Sequence, residues 1–233
     1  MSNILHKITY SSPYVGRLVG YFYTEIQFKL LEFYKDKKIV DLIRLVKKEV
    51  NFAFYPFEAY NLYSIVKSQR NLDGDIAEVG VYQGGSSKII CETKGDKKLH
   101  LFDTFQGLPD VTEKDNCFGK QLWKKNLCND TSLEMVKNHL SKYNNVYFYP
   151  GEFPSTSTPV NNSKFSFVHL DVDLYKSTKD CLEFFYPRLV PGGIILTHDY
   201  HSEGVKSAFT EFFSEKNVSV IELTSPQCMV IKH

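Results

Sequence analysis

The spacing of apolar residues changes near residue 75 and divides the chain into two patterns. Before that point apolar residues recur with the 3.6-residue period of helices, as at Ile39, Ile43, Val46 and Val50. From Asp75 onward, short apolar runs alternate with helical segments, which is typical of a parallel α/β sheet. We therefore predict a helical extension or lid over residues 1–70 and an α/β domain over residues 71–233.

Seven apolar runs in the second region are predicted as strands: Ile76–Val81, Leu99–Phe102, Val146–Tyr149, Phe165–Leu170, Ile194–Thr197, Val218–Leu223 and Cys228–Ile231. Helices are predicted from Ser86 and over Ser132–Tyr143, Ser177–Leu189 and Val205–Phe213, with Thr131 and Ser177 as helix-start signals. The Ser225-Pro226 turn predicts a terminal antiparallel hairpin. The fold class is therefore α/β, a doubly wound, mainly parallel seven-stranded sheet, whose ligands bind outside the carboxyl ends of the strands.

Charge and cysteine usage exclude several classes of protein. Lys and Arg number 28 against 27 Asp and Glu, and this balance argues against nucleic acid or an anionic membrane as a partner. No stretch approaches 18 apolar residues, so we predict no transmembrane segment. The N-terminal MSNILHKITYSS lacks the pattern of a secretory signal, and five cysteines without a C-x-x-C pair indicate a reduced, cytoplasmic protein. Cys117, Cys128 and His139 fit no zinc template, so we interpret them as structural.

The first strand runs into a glycine-rich turn and a helix, in the segment DIAEVGVYQGGSS. Glycines let a backbone approach a ligand closely, and a helix N-terminus offers free N–H groups to an anion. Glu78 could accept from an ammonium group while serine hydroxyls donate to a carboxylate, which together match the end of an amino acid. We predict a cofactor-binding turn made by Glu78, Gly80, Tyr82, Gly84, Gly85 and Ser86. A purely structural tight turn is the alternative, and the spacing is not that of a dinucleotide fingerprint.

The ends of the second and third strands extend this predicted cofactor site. Asp103 follows the glycines by about 20 residues, where an acid is positioned to accept two ribose hydroxyls. Thr104 adjoins it, and Phe105 could cover an adenine face. Gly151 and Glu152 could contribute further adenine contacts, although a simple turn explains these two almost as well. Asp171, at the end of the fourth strand, completes the predicted cofactor set.

The fourth and fifth strands end in the acids and histidines best suited to catalysis. Their ends read HLDVDLY and THDYH, and the two strands are neighbours in a doubly wound sheet. Asp171, Asp199 and His198 could converge there on one divalent cation, which would lower the pKa of a substrate hydroxyl. Asp171, His198 or His201 could take the proton. His169 lies between apolar neighbours and is predicted to be a buried structural histidine.

These motifs together resemble the macrocin O-methyltransferase (TylF-like) family. The stretches that carry the resemblance are PFEAYNLYSIVKSQR, GDIAEVGVYQGGSS, LFDTFQGLPD, PGEFPSTSTP, HLDVDLYKST and LVPGGIILTHDY, over roughly residues 50–213. The resemblance implies a class I fold, S-adenosylmethionine as cofactor, and O-methylation of a sugar or glycosylated natural product. It also implies Mg²⁺, held by Asp171 and an acid pair after the fifth strand.

That acid pair departs from the family pattern, because this chain has His198-Asp199 where the family usually has Asp-Asp. A nitrogen ligand suits Mn, Fe or Zn better than Mg. Three alternatives remain: a metal-independent methyltransferase with His198 as base, an NAD or nucleotide-sugar oxidoreductase, and a non-catalytic S-adenosylmethionine-binding module.

Aromatic residues make up 15% of the chain. Many fall on predicted core positions, and a general compositional bias explains most of the excess. A narrower group in the N-terminal extension is less easily explained: Tyr21, Phe22, Tyr23, Phe52, Phe54, Tyr55 and Phe57. We expect this group to cover the pocket of a small hydroxyl acceptor or to form a homo-oligomer contact.

Overall fold

The computed structural model describes residues 13–233, so the first twelve residues of the predicted extension lie outside the described part. Three helices come first: α1 (Pro13–Tyr34), α2 (Lys37–Glu49) and α3 (Pro56–Ser68). Then follow β1 (Asp75–Val79), α4 (Gly85–Thr93), β2 (Leu99–Asp103), α5 (Leu133–His139), β3 (Val146–Pro150), β4 (Phe165–Leu170), α6 (Tyr175–Phe185), β5 (Leu189–Thr197), α7 (Glu203–Phe213), β6 (Val220–Glu222) and β7 (Cys228–Ile231).

The seven strands form one sheet in the order β3-β2-β1-β4-β5-β7-β6. Strands β1 to β5 are parallel, while β7 runs antiparallel to both β5 and β6, which confirms the predicted hairpin. The order reverses between β1 and β4, so the crevice at their carboxyl ends is the topological switch point where such sheets bind ligands.

Side chains alternate across the sheet and build two hydrophobic cores. Ile76, Leu99 and Phe167 face α1 to α5, whereas Ala77 and Val168 face α6 and α7. The N-terminal helices thus share a core with one face of the sheet instead of packing around a core of their own. The predicted boundary at residue 70 falls in the link between α3 and β1.

Several predicted boundaries are wrong in detail. Ser132, not Thr131, caps α5 by accepting from the N–H of Met135, and α6 begins at Tyr175, two residues before Ser177. The predicted third helix ends at Phe185, because Tyr186–Arg188 forms a 3₁₀ turn and β5 already begins at Leu189. No helix among residues 13–233 is long and apolar enough to cross a membrane.

Candidate active site

A deep cavity opens at the carboxyl ends of β1, β2, β4 and β5, at the switch point of the sheet. Its volume is about 260 Å³, near the lower end of the roughly 300–1,000 Å³ range of small-molecule sites. The cavity is therefore of a size that binds a small molecule.

The turns that follow the strands hold their residues in the left-handed backbone region. The φ angle is 85° at Gly80 after β1, 52° at Tyr82, 60° at Asp173 after β4 and 54° at Asp199 after β5. Such conformations cost non-glycine residues of the order of 1–3 kcal/mol and cluster at functional sites. This clustering indicates that the functional site lies at the carboxyl ends of the strands.

Seven residues of the predicted cofactor site line the cavity: Gly80, Tyr82, Asp103, Thr104, Gly151, Glu152 and Asp171. The Asp103 carboxylate binds the backbone at the start of the glycine-rich turn. Its Oδ2 accepts from the N–H groups of Val81 and Tyr82 at 2.6 and 2.9 Å, and its Oδ1 accepts from the N–H of Phe105 at 2.6 Å. Asp103 therefore fixes two strand-end turns, and its predicted ribose contact remains a prediction.

The other predicted cofactor residues do not line the cavity. Glu78 is 0% exposed, because strand alternation turns it toward the helical core, where Oε1 lies 2.9 Å from Nδ1 of His169. The Ser87 hydroxyl donates to the other Glu78 oxygen, and His169 is 0% exposed, which confirms the predicted burial of this histidine. Because Glu78 is buried away from the cavity, it does not meet an ammonium group placed there.

The helix N-terminus after the glycines is covered as well. A Cβ at Gly85 would lie 2.6 Å from the ring of Phe52, so this ring packs against the start of α4. Gly84 and Ser86 are buried beside it. Phe105, predicted to cover adenine, is instead buried in the core that the sheet shares with α1 to α5, at a residue whose φ is 54°.

The predicted metal and catalytic residues converge. Single ligand atoms of Asp171, His198 and Asp199 all lie within 4.8 Å of one another. Nδ1 of His198 is 2.8 Å from Oδ2 of Asp199 and 3.4 Å from Oδ1 of Asp171. All three side chains line the cavity, whereas His201 does not, although its Nδ1 lies 3.9 Å from Asp199.

Burial and mutual charge shift the pKa values in this cluster. Burial raises the pKa of Asp171 to about 6, against the opposing effect of His198. Burial also raises the pKa of Asp173, and the charges of Asp199 and Asp171 raise it further. Burial would lower the pKa of His198, but the adjacent carboxylates of Asp199 and Asp171 raise it well above its usual value. The cluster therefore favours a positive charge at its centre.

The N-terminal extension contributes cavity residues that the motifs did not single out as site residues. Ala53 and Phe54 line the cavity, and the Phe54 ring stacks on His198 with centroids 4.3 Å apart and planes 9° apart. Glu58, at the start of α3, places Oε2 3.3 Å from Nε2 of His198. The sequence signal was the Pro56 to Glu58 spacing, which marks a helix start but does not indicate its partner.

The segment between β2 and α5 forms the remaining wall. Trp123, the single tryptophan of the chain, lines the cavity and donates Nε1–H to the Ser202 hydroxyl at 3.4 Å. Cys128 also lines the cavity, so interpreting it as merely structural was incomplete. Cys117 is buried.

Solved structures place this architecture in a known class. The structure of the O-methyltransferase NovP superposes with a TM-score of 0.63 at 27% identity, covering 75% of this chain and 79% of NovP. The calicheamicin methyltransferase CalS11 superposes with a TM-score of 0.68 at 17% identity, covering 94% and 93%. The fold is therefore that of the class I methyltransferases.

Sequence comparison specifies the family. The pattern of macrocin O-methyltransferase (TylF) matches residues 61–225, and the chain belongs to this family. It is 31% identical over 157 residues to the 8-demethyl-8-(2,3-dimethoxy-alpha-L-rhamnosyl)-tetracenomycin-C 4'-O-methyltransferase of Streptomyces olivaceus, across 63% of this chain and 60% of that protein. It is 29% identical over 174 residues to the mycinamicin III 3''-O-methyltransferase of Micromonospora griseorubida, across 68% of each. The match thus spans about three fifths of the Streptomyces protein.

Proposed function

We propose that this protein is an S-adenosylmethionine-dependent O-methyltransferase that methylates a sugar hydroxyl of a natural product with the help of a divalent cation. The observation that carries the proposal is the meeting of Asp171, His198 and Asp199 inside the strand-end cavity. Family membership and the named activities of the two relatives support the reaction class and the sugar acceptor.

The cavity fits S-adenosylmethionine along the β1–β2 side. Gly80 and Tyr82 form the turn there, Asp103 stands at the end of β2, and Gly151 with Glu152 follows β3. When bound, this cofactor would supply an electrophilic methyl group. In this arrangement the chain's contribution is orientation, because holding the methyl group and the acceptor oxygen in line removes much of the barrier.

The acid–histidine cluster fits a divalent cation. Asp171, His198 and Asp199 would hold the cation, because one ligand atom of each lies within 4.8 Å of the other two. A mixed oxygen and nitrogen donor set suits Mn²⁺ or Fe²⁺ better than Mg²⁺. When bound, the cation would lower the pKa of the acceptor hydroxyl.

Asp171 is the proposed proton acceptor. Both ring nitrogens of His198 face carboxylates, at Asp199 and at Glu58, and His201 does not line the cavity. Asp171 lines the cavity, and it lies 3.4 Å from Nδ1 of His198, whereas Asp199 lies 2.8 Å from the same nitrogen. Asp171 is therefore the carboxylate that His198 holds less closely. Asp171 would take the hydroxyl proton as the acceptor oxygen gains the methyl group that the bound cofactor supplies.

The test is methyl transfer from S-adenosylmethionine to a panel of rhamnosides and related glycosides, before and after chelation. We expect a methyl ether product, loss of turnover with chelator, and recovery with Mn²⁺ that exceeds recovery with Mg²⁺. Cofactor binding without turnover on any hydroxyl acceptor would instead indicate a non-catalytic binding module.

A metal-independent methyltransferase is the second candidate. The observation that favours it is the 2.8 Å contact between His198 and Asp199, which is an ordinary charge-assisted hydrogen bond. In that version the imidazole ring takes the place of the cation or acts as the base. Turnover that survives exhaustive chelation but is abolished by His198→Ala would select this candidate.

We also propose that α1 pairs with α1 of a second copy. Ten large apolar side chains of α1 are exposed, most of them on the side opposite the buried Phe28 and Leu31: Val15, Leu18, Val19, Tyr21, Phe22, Tyr23, Ile26, Leu30, Phe33 and Tyr34. At about 150–250 Å² per aromatic side chain, the five aromatic members alone offer about 600 Å², and the five aliphatic members add to that area. A stable interface needs about 800 Å² per partner.

Light scattering after size exclusion tests this pairing. We expect a dimer for the wild type, a monomer for Leu18→Lys combined with Phe22→Lys, and a dimer for the control Ile221→Lys, whose side chain is exposed on β6. A wild-type monomer at 100 μM would contradict the pairing.

A further inference from the structure

His198, the residue that departs from the family pattern, is held by residues outside the matched stretch. The family match begins at residue 61, whereas Phe54 and Glu58 precede it. Phe54 covers one face of the imidazole ring, and Glu58 meets its far nitrogen, Nε2, at 3.3 Å. The N-terminal extension and the substituted position are therefore in direct contact.

Glu58 is unusual for an acid because its side chain is only 4% exposed and has no lysine or arginine partner among the ion pairs of the described residues. One oxygen, Oε2, serves two donors. It accepts from the backbone N–H of Tyr55 at 2.8 Å, which caps α3, and it faces Nε2 of His198. Buried charges persist when such partners satisfy them.

The hydrogen-bond directions then determine how the ring is oriented. A carboxylate only accepts, so Glu58 and Asp199 each receive a hydrogen from His198, from Nε2 and from Nδ1 respectively. The Glu58 contact at Nε2 turns Nδ1 toward Asp199 and Asp171, at 2.8 and 3.4 Å, where a bound cation would take the place of the Nδ1 hydrogen. Metal-binding histidines commonly have this arrangement, in which a carboxylate on one nitrogen orients the other toward the ligand site.

We propose that Glu58 is a positioning residue that orients His198 Nδ1 toward the acidic cluster, so that the N-terminal extension completes the site. The role of the oriented nitrogen as a cation ligand rests on the proposed function above. The orientation itself does not, because it depends on contacts within the chain alone.

Helix capping is the competing explanation for Glu58, and the chain offers a matched control for it. Asp36 caps α2 by accepting from the N–H of Lys38 at 2.9 Å, but it is exposed. Glu58→Ala removes a cap and the ring contact, whereas Asp36→Ala removes a cap alone. Glu58→Gln keeps an acceptor oxygen for both donors, since both converge on a single atom, and it should restore the orientation.

The first measurement is the ring orientation in crystals of each variant grown with chelator. We expect the His198 ring to keep its place in the wild type, Glu58→Gln and Asp36→Ala, and to rotate or lose order in Glu58→Ala. An unmoved ring in Glu58→Ala would overturn the proposal, whether or not the protein binds a cation.

The second measurement is Mn²⁺ affinity by calorimetry, with Mn²⁺ as the only added ligand. Loss of an outer carboxylate partner costs about 10–100-fold in metal affinity. We expect that loss for Glu58→Ala, a change below about threefold for Glu58→Gln, and no change for Asp36→Ala. If neither the wild type nor any variant binds Mn²⁺, the metal-assisted function is wrong, but the His198 orientation seen in the crystals still tests the role of Glu58.

A double-mutant cycle separates action through the ring from a general structural effect. His198→Asp replaces the ring with the acid that the family usually has. In that background Glu58→Ala should no longer weaken Mn²⁺ binding, because there is no imidazole to orient. An equal loss of affinity in both backgrounds would contradict the proposal.

Discussion

The two walls of the cavity differ in origin and in chemistry. The sheet wall, made by strand ends within residues 61–225, carries Asp103, Asp171 and Asp199, the last of them in a left-handed turn. The N-terminal wall precedes that stretch and presents the Phe54 ring, with the Glu58 carboxylate behind His198. In the proposed mechanism the topology of the sheet places the reacting groups, while the extension encloses and orients them.

Replacing Asp171 by asparagine should give the largest effect, because it removes the proposed proton acceptor from the sheet wall. General acid–base groups contribute about 10²–10⁴-fold, so we expect kcat/KM for methyl transfer to fall about 10³-fold. Asp110→Asn is the matched control, since Asp110 is exposed and pairs with Lys125 on the surface. Equal activity in the two variants would remove Asp171 from the mechanism.

Phe54→Ala tests whether the N-terminal wall is part of the folded core. Phe54 is 2% exposed, and truncating a buried phenylalanine costs about 3–5 kcal/mol. We expect that loss in the free energy of unfolding, measured with urea. Phe33→Ala on α1, where the side chain is 89% exposed, should change it by less than about 0.5 kcal/mol in the monomeric protein. Similar values for both would mean that the wall packs only loosely.

Asp103→Asn should weaken cofactor binding without abolishing the fold. The carboxylate accepts from three N–H groups of two turns, and hydrogen bonds to charged groups contribute about 1.5–3 kcal/mol. We expect S-adenosylmethionine affinity to fall by about 10–100-fold. The fluorescence of Trp123, the single tryptophan, reports the titration directly. The exposed acid Asp96 supplies the control Asp96→Asn, and a loss there of the same size would show a nonspecific charge effect.

Thiol labelling gives the smallest and most local test. Cys128 is exposed in the cavity, whereas Cys91 and Cys181 are buried, and burial raises the pKa of each of the three thiols, that of Cys128 to about 11. We expect maleimide to modify Cys128 first at pH 8, and S-adenosylmethionine with acceptor to slow this severalfold. If neither ligand changes the labelling rate of Cys128, the cofactor and the acceptor bind away from this wall.

The sequence was most informative where chemistry follows strand ends. Asp171 and Asp199 were predicted to meet because neighbouring parallel strands end at one edge, and the structure brings them together. Glu78 was misplaced because both faces of β1 are buried. With a helical core on each side, the apolar pattern does not reveal which face an acid in the strand adopts.

The N-terminal wall was less accessible to sequence reasoning. Phe54 and Glu58 reach His198 across some 140 positions, and nothing local to either segment encodes that pairing. Phe105 lies in the core at a residue with positive φ, a backbone conformation that the sequence does not predict for an aromatic residue. The aromatic group of the extension was recognised, but the cavity-lining member could not be separated from the exposed ones on α1.

The left-handed turns at the strand ends have a practical consequence for redesigning the acceptor range. Tyr82, Asp173 and Asp199 occupy backbone conformations that β-branched residues rarely adopt, so many replacements there would destabilise the fold. Ala53 and Trp123 carry no such constraint in the described backbone. Libraries that reshape this pocket for other sugars should therefore vary the walls and leave the strand-end turns intact.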